Sequence, residues 1–241
     1  MSGKKEVIEK LQREILSLQG HKSLDSSEDP LGLGPLEASF PGGVFPRAAV
    51  HEFISNSPTR AATAGFVSAI LANLLKNGSV CLWIGVDRTV FPPALKAFGV
   101  EPERVIFIDL KKTKDVLWVM EEALKCEGLA AVIAEAPDVD FNASRRLQLA
   151  VENSKVTGFL LRNDPKSITA TACTARWKLS FLPSELANRM PGVGHPRWAV
   201  ELLKVRNGTT GYWELECMDG QFNPIAGKAA AAINEKLRKI G

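Results

Sequence analysis

From residue 48 onward, short apolar runs alternate with longer stretches in which apolar residues return every three or four positions. The runs at 48–54, 79–86, 105–110, 129–134 and 156–161 have strand length. The segments between them, 61–77, 91–98, 113–126 and 143–154, carry helical periodicity. This alternation predicts a parallel sheet covered by helices on both faces. Helix 61–77 is apolar nearly all round, through Ala61, Ala62, Ala64, Phe66, Val67, Ile70, Leu71, Leu74 and Leu75. Such a helix has no face for water and is expected deep in the core, stopped by Lys76-Asn77-Gly78.

Beyond residue 175 the pattern changes. Arg176–Leu182, Arg197–Arg206 and Gly211–Cys217 read as strands, and Asn207-Gly208-Thr209-Thr210 joins the last two as a hairpin. They are expected as antiparallel additions to the sheet edge. The proline- and glycine-rich stretch 183–196 reads as an irregular loop, and an Ala-rich helix is expected over 226–239. At the other end, Val7, Leu11, Ile15 and Leu18 recur at near-heptad spacing and predict a helix over 4–18. At that length it is marginal alone, so its apolar stripe must dock on its own domain or on a neighbouring subunit. Residues 20–35 read as a linker. The expected division is an N-terminal helix and linker (1–35), a core domain (36–225) and a C-terminal helix (226–241).

Composition narrows the classes without choosing one. With 45% hydrophobic and 24% charged residues, the 241-residue chain is ordinary for a soluble protein. No apolar run is long enough to span a bilayer, so a cytoplasmic protein is expected. The cysteines at 81, 126, 173 and 217 are far apart and form no C-x-x-C, which argues for reduced thiols and against a metal site. A net charge of +3 is a weak signal for nucleic acid. The nearest basic clusters are Lys111-Lys112-Lys114 and the tail Lys236, Arg238 and Lys239, each read first as a solvated face.

Candidate chemistry centres on the turn after the first strand. A phosphate-binding loop needs G-x-x-x-x-G-K-[ST], whose glycines let backbone N–H groups curl around phosphates and whose lysine reaches the β- and γ-phosphates. Here the corresponding stretch is Ser55, Asn56, Ser57, Pro58, Thr59, Arg60, Ala61, Ala62, Thr63. Ser55 and Arg60 stand at the glycine positions, Ala61 at the lysine and Ala62 at the Ser/Thr position. Asp87 and Glu135 follow the second and fourth strands, at the carboxyl edge where open α/β sheets bind ligands. In a nucleotide hydrolase such positions hold a water-polarising carboxylate and a magnesium ligand. Without a lysine-bearing loop they read as vestigial, and no cofactor is expected. His51 and Glu52 are consecutive in a strand, so they point to opposite faces and form no acid–base dyad. Trp177, Trp198, Tyr212 and Trp213 interleave with Arg176, Lys178, Arg197, Lys204 and Arg206. In strands that pattern favours aromatic residues inside and charged residues outside over a nucleic-acid surface.

The segment Leu36–Glu52, with its Gly42-Gly43 turn and Pro46, resembles the lead-in to the core of RecA. The stretch from Trp83 to Asp87 and on to Phe98-Gly99-Val100 resembles the RecA segment that carries the catalytic carboxylate. A closer resemblance is to the ImuA branch of RecA-like proteins, carried by Leu11–Glu14, His51-Glu52, Leu117–Leu124, Ser144–Ala150 and Arg197–Arg206. It implies a mostly parallel RecA-like α/β sheet flanked by helices, in an accessory protein of SOS-induced translesion synthesis and mutagenesis. Its implied partners are ImuB (a catalytically inactive polymerase relative), an error-prone replicative-type polymerase and RecA. Such a protein would be a non-catalytic adaptor. Contacts are expected through Leu11, Ile15 and Leu18, which also offer self-association, and through Lys236, Arg238 and Lys239. The segments after residues 135 and 161 are shorter than the DNA-binding loops of RecA, so filament formation in the RecA manner is not expected, and direct DNA binding stays open. Two other readings remain: a weak RecA-like ATPase or DNA-binding protein using Arg60, Thr63, Asp87 and Glu135, and a SulA-like inhibitor of cell division.

Overall fold

In the computed structural model, residues 30–76, 78–185 and 192–225 are described. They form a nine-stranded sheet in the order β3-β2-β4-β5-β1-β6-β7-β8-β9. The strands are β1 (Val50–Ser55), β2 (Val80–Gly85), β3 (Val105–Asp109), β4 (Leu129–Glu135), β5 (Thr157–Asn163), β6 (Ala175–Leu182), β7 (Arg197–Val205), β8 (Gly211–Met218) and β9 (Gln221–Pro224). The α-helices are α1 (Arg60–Leu74), α2 (Thr113–Leu124) and α3 (Phe141–Ser154). Strands β1 to β6 run parallel, and β7 to β9 extend the sheet antiparallel. The result is an α/β fold with a mostly parallel sheet and an antiparallel edge, consistent with the RecA-like architecture. No described helix is long and apolar enough to cross a membrane.

Two cores lie on the two faces of the sheet. The larger gathers α1 with the inward residues of β1, β6, β7 and β8, and includes Phe53, Phe66, Trp83, Phe159, Trp177, Trp198 and Phe222. Trp177 and Trp198 are buried there, as the alternation along their strands implies. Helix α1 is buried along most of its length: the Phe98 ring comes so close that a Cβ on Gly65 would lie 2.7 Å from it. The second core joins α2 and α3 to Val50, Ile84, Val132 and Leu160.

Four findings modify the sequence reading. Segment 91–98 is a 3-10 helix, Pro92–Phe98, rather than an α-helix. Strand β9 carried no alternating signal long enough to detect. Leu31 and Leu33, at the end of the stretch read as linker, are buried in the larger core. Finally, β6 is not an antiparallel addition: it pairs parallel to β1, with Glu52 opposite Arg176. The reason lies in the connection. No tight turn separates β5 from β6, and residues 164–174 return along the sheet, as a parallel pair requires.

That return segment is strapped down by cations. Arg162 donates to the Ser167 carbonyl (2.8 Å), Arg176 to Thr169 (2.5 Å), Lys204 to Thr171 (2.7 Å) and Arg206 to Ala172 (3.1 Å). Beneath it lies Glu52, fully buried, which accepts from Arg162 at 2.6 Å, Arg176 at 2.8 Å and the Thr171 hydroxyl at 2.8 Å. On the opposite face His51 is also buried. Its ring stacks on Phe45, with centroids 4.2 Å apart, and Nε2–H donates to the Pro46 carbonyl at 2.8 Å. Nδ1 is buried with no partner, so a second proton has nowhere to be stabilised, and burial pulls the His51 pKa down to about 4.

Two stability predictions follow from this pair. Glu52→Gln keeps the volume but leaves two buried arginines uncompensated, and should cost about 3–5 kcal/mol in urea denaturation. His51 stays neutral when folded, so between its ordinary 6.5 and about 4 the unfolded chain binds more protons. Stability should therefore fall as pH drops through that window, by about 3 kcal/mol at its lower end. His51→Phe should remove this part of the slope, measured by urea titration at pH 7 and pH 4.5.

Candidate functional site

The carboxyl ends of β1, β4 and β5 meet at the start of α1, and the geometry there is closed upon itself. Strand β1 ends at Ser55, a turn spans residues 57–59, and α1 begins at Arg60. In a phosphate-binding loop the N–H groups of such a turn face a ligand. Here they are consumed internally. Thr59 and Arg60 N–H both donate to the Asn56 carbonyl at 2.9 Å. The Asn56 side chain and the Thr59 hydroxyl bond to each other at 2.8 Å. Ser57 gives both its N–H (3.1 Å) and its hydroxyl (2.9 Å) to the Asp164 carboxylate. An internal anion thus holds the Ser57 donors of this turn.

The cation of the site is spent in the same way. Arg60 reaches across to Glu135 with an Nη2–Oε2 distance of 2.6 Å, and touches the Asp87 carbonyl at 3.4 Å. Glu135 is nearly buried and otherwise fully engaged: Trp83 Nε1–H donates to Oε1 at 2.9 Å and the Asn163 amide to Oε2 at 3.2 Å. Asn163 in turn accepts from the Ser55 hydroxyl at 2.5 Å. A carboxylate with an arginine and two further donors at hydrogen-bonding distance is held as a charged, neutralised group rather than as an open metal ligand. Among the described residues, no group of three or more His, Cys, Asp or Glu side chains is placed to hold a metal ion. Burial pushes the Cys81 thiol up to about 12 and the Cys173 thiol to about 11, so neither is a ready nucleophile.

The structure brings Ser55, Arg60 and Glu135 into one network and leaves others out. Thr63 is buried and bonds back to the Thr59 carbonyl at 3.0 Å, away from the edge. Ala61 is exposed, and the Ala62 carbonyl accepts from Trp198 Nε1–H at 3.0 Å. Asp87 is exposed and contributes only its backbone. The sequence reading missed Trp83, Asn163 and Asp164. Arg162-Asn163-Asp164 directly after an apolar strand was the available signal, since polar groups at that place need buried or edge partners. Leu11, Ile15, Leu18, Lys236, Arg238 and Lys239 lie outside the described residues.

Other openings lie away from this edge. A cleft of about 700 Å³ sits near the amino end of β2, where Lys76, Lys96, Arg104, His195 and Asp219 line it in part. It has no path to Arg60 or Glu135 along the strands, which separate the two edges.

Removing the arginine should leave a nearly buried carboxylate short of its cation. Arg60→Ala is expected to lose about 1–3 kcal/mol in urea denaturation. Ala61→Lys, which restores the lysine of a phosphate loop, should not create nucleotide binding, because the amides of Ser57, Thr59 and Arg60 remain occupied. Titration with a fluorescent ATP analogue and magnesium reads this directly.

No family model matches the chain. It is similar to Protein ImuA of Caulobacter vibrioides strain NA1000 / CB15N, at 31% identity over 202 residues, covering 78% of this chain and 83% of that protein. The same figures hold for Protein ImuA of Caulobacter vibrioides strain ATCC 19089 / CIP 103742 / CB 15.

Proposed function

The chain belongs to the ImuA family, and from that membership we propose that it is a non-catalytic RecA-like adaptor in SOS-induced translesion DNA synthesis. It would work in the bacterial cytoplasm within an ImuA/ImuB mutagenesis cassette, binding an ImuB-type inactive polymerase, with RecA and the error-prone replicative-type polymerase as further partners. The observation that carries the non-catalytic part is the Arg60–Glu135 pair at 2.6 Å. A hydrolase would direct its loop cation at phosphate and its carboxylate at magnesium; here the two neutralise each other. The Asp164 carboxylate supports the same reading, because it fills the anion-binding turn.

Binding rather than chemistry is then the work of the molecule, and its surfaces carry it. The strapped segment 164–174 suits this role. A loop that grips DNA must reorganise, whereas this one is bonded along its length by Arg162, Arg176, Lys204 and Arg206. The helix over 4–18 and the tail helix around Lys236–Ile240 are the proposed docking elements, and the core domain is their scaffold.

A pull-down from DNA-damaged cells should recover an ImuB-type polymerase relative together with this chain, and deletion of residues 1–20 should weaken that capture or self-association. Unchanged recovery and unchanged sedimentation on deletion would remove the N-terminal helix from the proposal. Saturable micromolar binding of an ATP analogue, abolished by Arg60→Ala, would replace the adaptor with the ATPase reading.

A further inference from the structure

Of the five tryptophans in the chain, Trp118 alone stands out in solvent, 65% exposed. Trp83, Trp177 and Trp198 are buried, and Trp213 is half-buried against the larger core. An indole left in water forfeits most of what burial would give it and offers a flat apolar face for a partner to cover. Trp118 sits on α2, four residues after Lys114, so the two side chains share a face. Lys111 and Lys112 lead into the same helix, directly after the end of β3. All three lysines are exposed, and none of their ammonium groups has an acceptor among the described residues.

The charges around this face leave it positive. Glu121 and Glu122, one turn after Trp118 on the same face, are held by Arg146 at 2.9 Å and by Lys125 at 2.6 Å. Asp109 is held by Arg88 at 3.3 Å, with the Arg88 guanidinium over the Phe107 ring. Among the described residues none of Lys111, Lys112 and Lys114 is held in an ion pair, and Asp115 is their one acidic sequence neighbour within the segment 111–118. We infer that Lys111, Lys112, Lys114 and Trp118 form a contact surface for single-stranded nucleic acid. The ammonium groups would meet successive phosphates while one base stacks on the indole.

Single-stranded nucleic acid fits this arrangement better than an acidic polypeptide. The lysines are mobile point charges suited to a phosphate backbone without sequence preference, and the indole offers a free planar face to any base. A duplex would satisfy the lysines but hide its base faces from Trp118. Helix α2 packs over β4 and β2 on the face of the sheet opposite α1, and Trp118 points away from that packing, whereas Arg60 and Glu135 meet at the carboxyl end of β4. The surface does not depend on the adaptor reading, and either can fail without the other.

Intrinsic fluorescence provides the test, because Trp118 is the tryptophan a bound base can reach. Titrating the full chain with an oligo-dT should quench emission saturably, with affinity falling steeply as salt rises. Trp118→Ala should remove the quench and weaken binding about ten-fold, followed with a labelled oligonucleotide. Changing Lys111, Lys112 and Lys114 together to glutamine should lower the logarithmic salt slope by about two. These residues are exposed, so the thermal midpoint should not move. Equal affinity in the variants, equal affinity for duplex and single strand, or no binding by the wild type would overturn the inference. Binding of a poly-glutamate peptide without binding of the oligonucleotide would also overturn it, in favour of an acidic protein partner.

Discussion

Glu52 is the point on which the arrangement turns. It is a fully buried carboxylate in the middle of β1, and two arginines from the flanking strands β5 and β6 converge on it. A lone charge there would be too costly to bury, so the strands that bring the arginines must be its neighbours. That requirement matches the parallel pairing of β6 with β1, and through it the crossover of residues 164–174. The crossover in turn positions Asp164, whose carboxylate closes the turn before α1. One buried charge thus connects the order of the strands to the state of the site at their carboxyl ends.

The same logic of internal compensation recurs at that site. Arg60 and Glu135 neutralise each other, Asn163 links Glu135 to Ser55, and Trp83 donates to the other carboxylate oxygen of Glu135. Each group is one that could serve a nucleotide if its partner were missing. Together they tie the ends of three strands to the start of a helix, with the Arg60 Nε buried and left without a partner. On the surface, Trp118 stands exposed next to Lys114, with Lys111 and Lys112 leading into the same helix.

Much of the fold was legible in the chain. Five strands and the helices between them follow from apolar periodicity, since a parallel sheet buried on both faces demands continuous apolar runs. The opposite facing of His51 and Glu52 follows from the two-residue repeat of a strand. The burial of Trp177 and Trp198 follows from alternation along β6 and β7. The direction of β6 was not legible, because strand pairing depends on what the connecting segment does, and 164–174 has no periodicity of its own. Strand β9 was too short to signal, and the 3-10 geometry of Pro92–Phe98 depends on its packing against Gly65.

The sequence by itself determined that the phosphate loop lacks its glycines and lysine, because that is a statement about residue types at fixed spacing. It could not determine what became of the charges that remain. Arg60 lies 75 residues from Glu135, and Ser57 lies 107 from Asp164. Nothing in local pattern pairs residues at such separations. Only the parallel stacking of β1, β5 and β4, which brings their carboxyl ends together, decides that the cation meets the carboxylate and that the anion meets the turn.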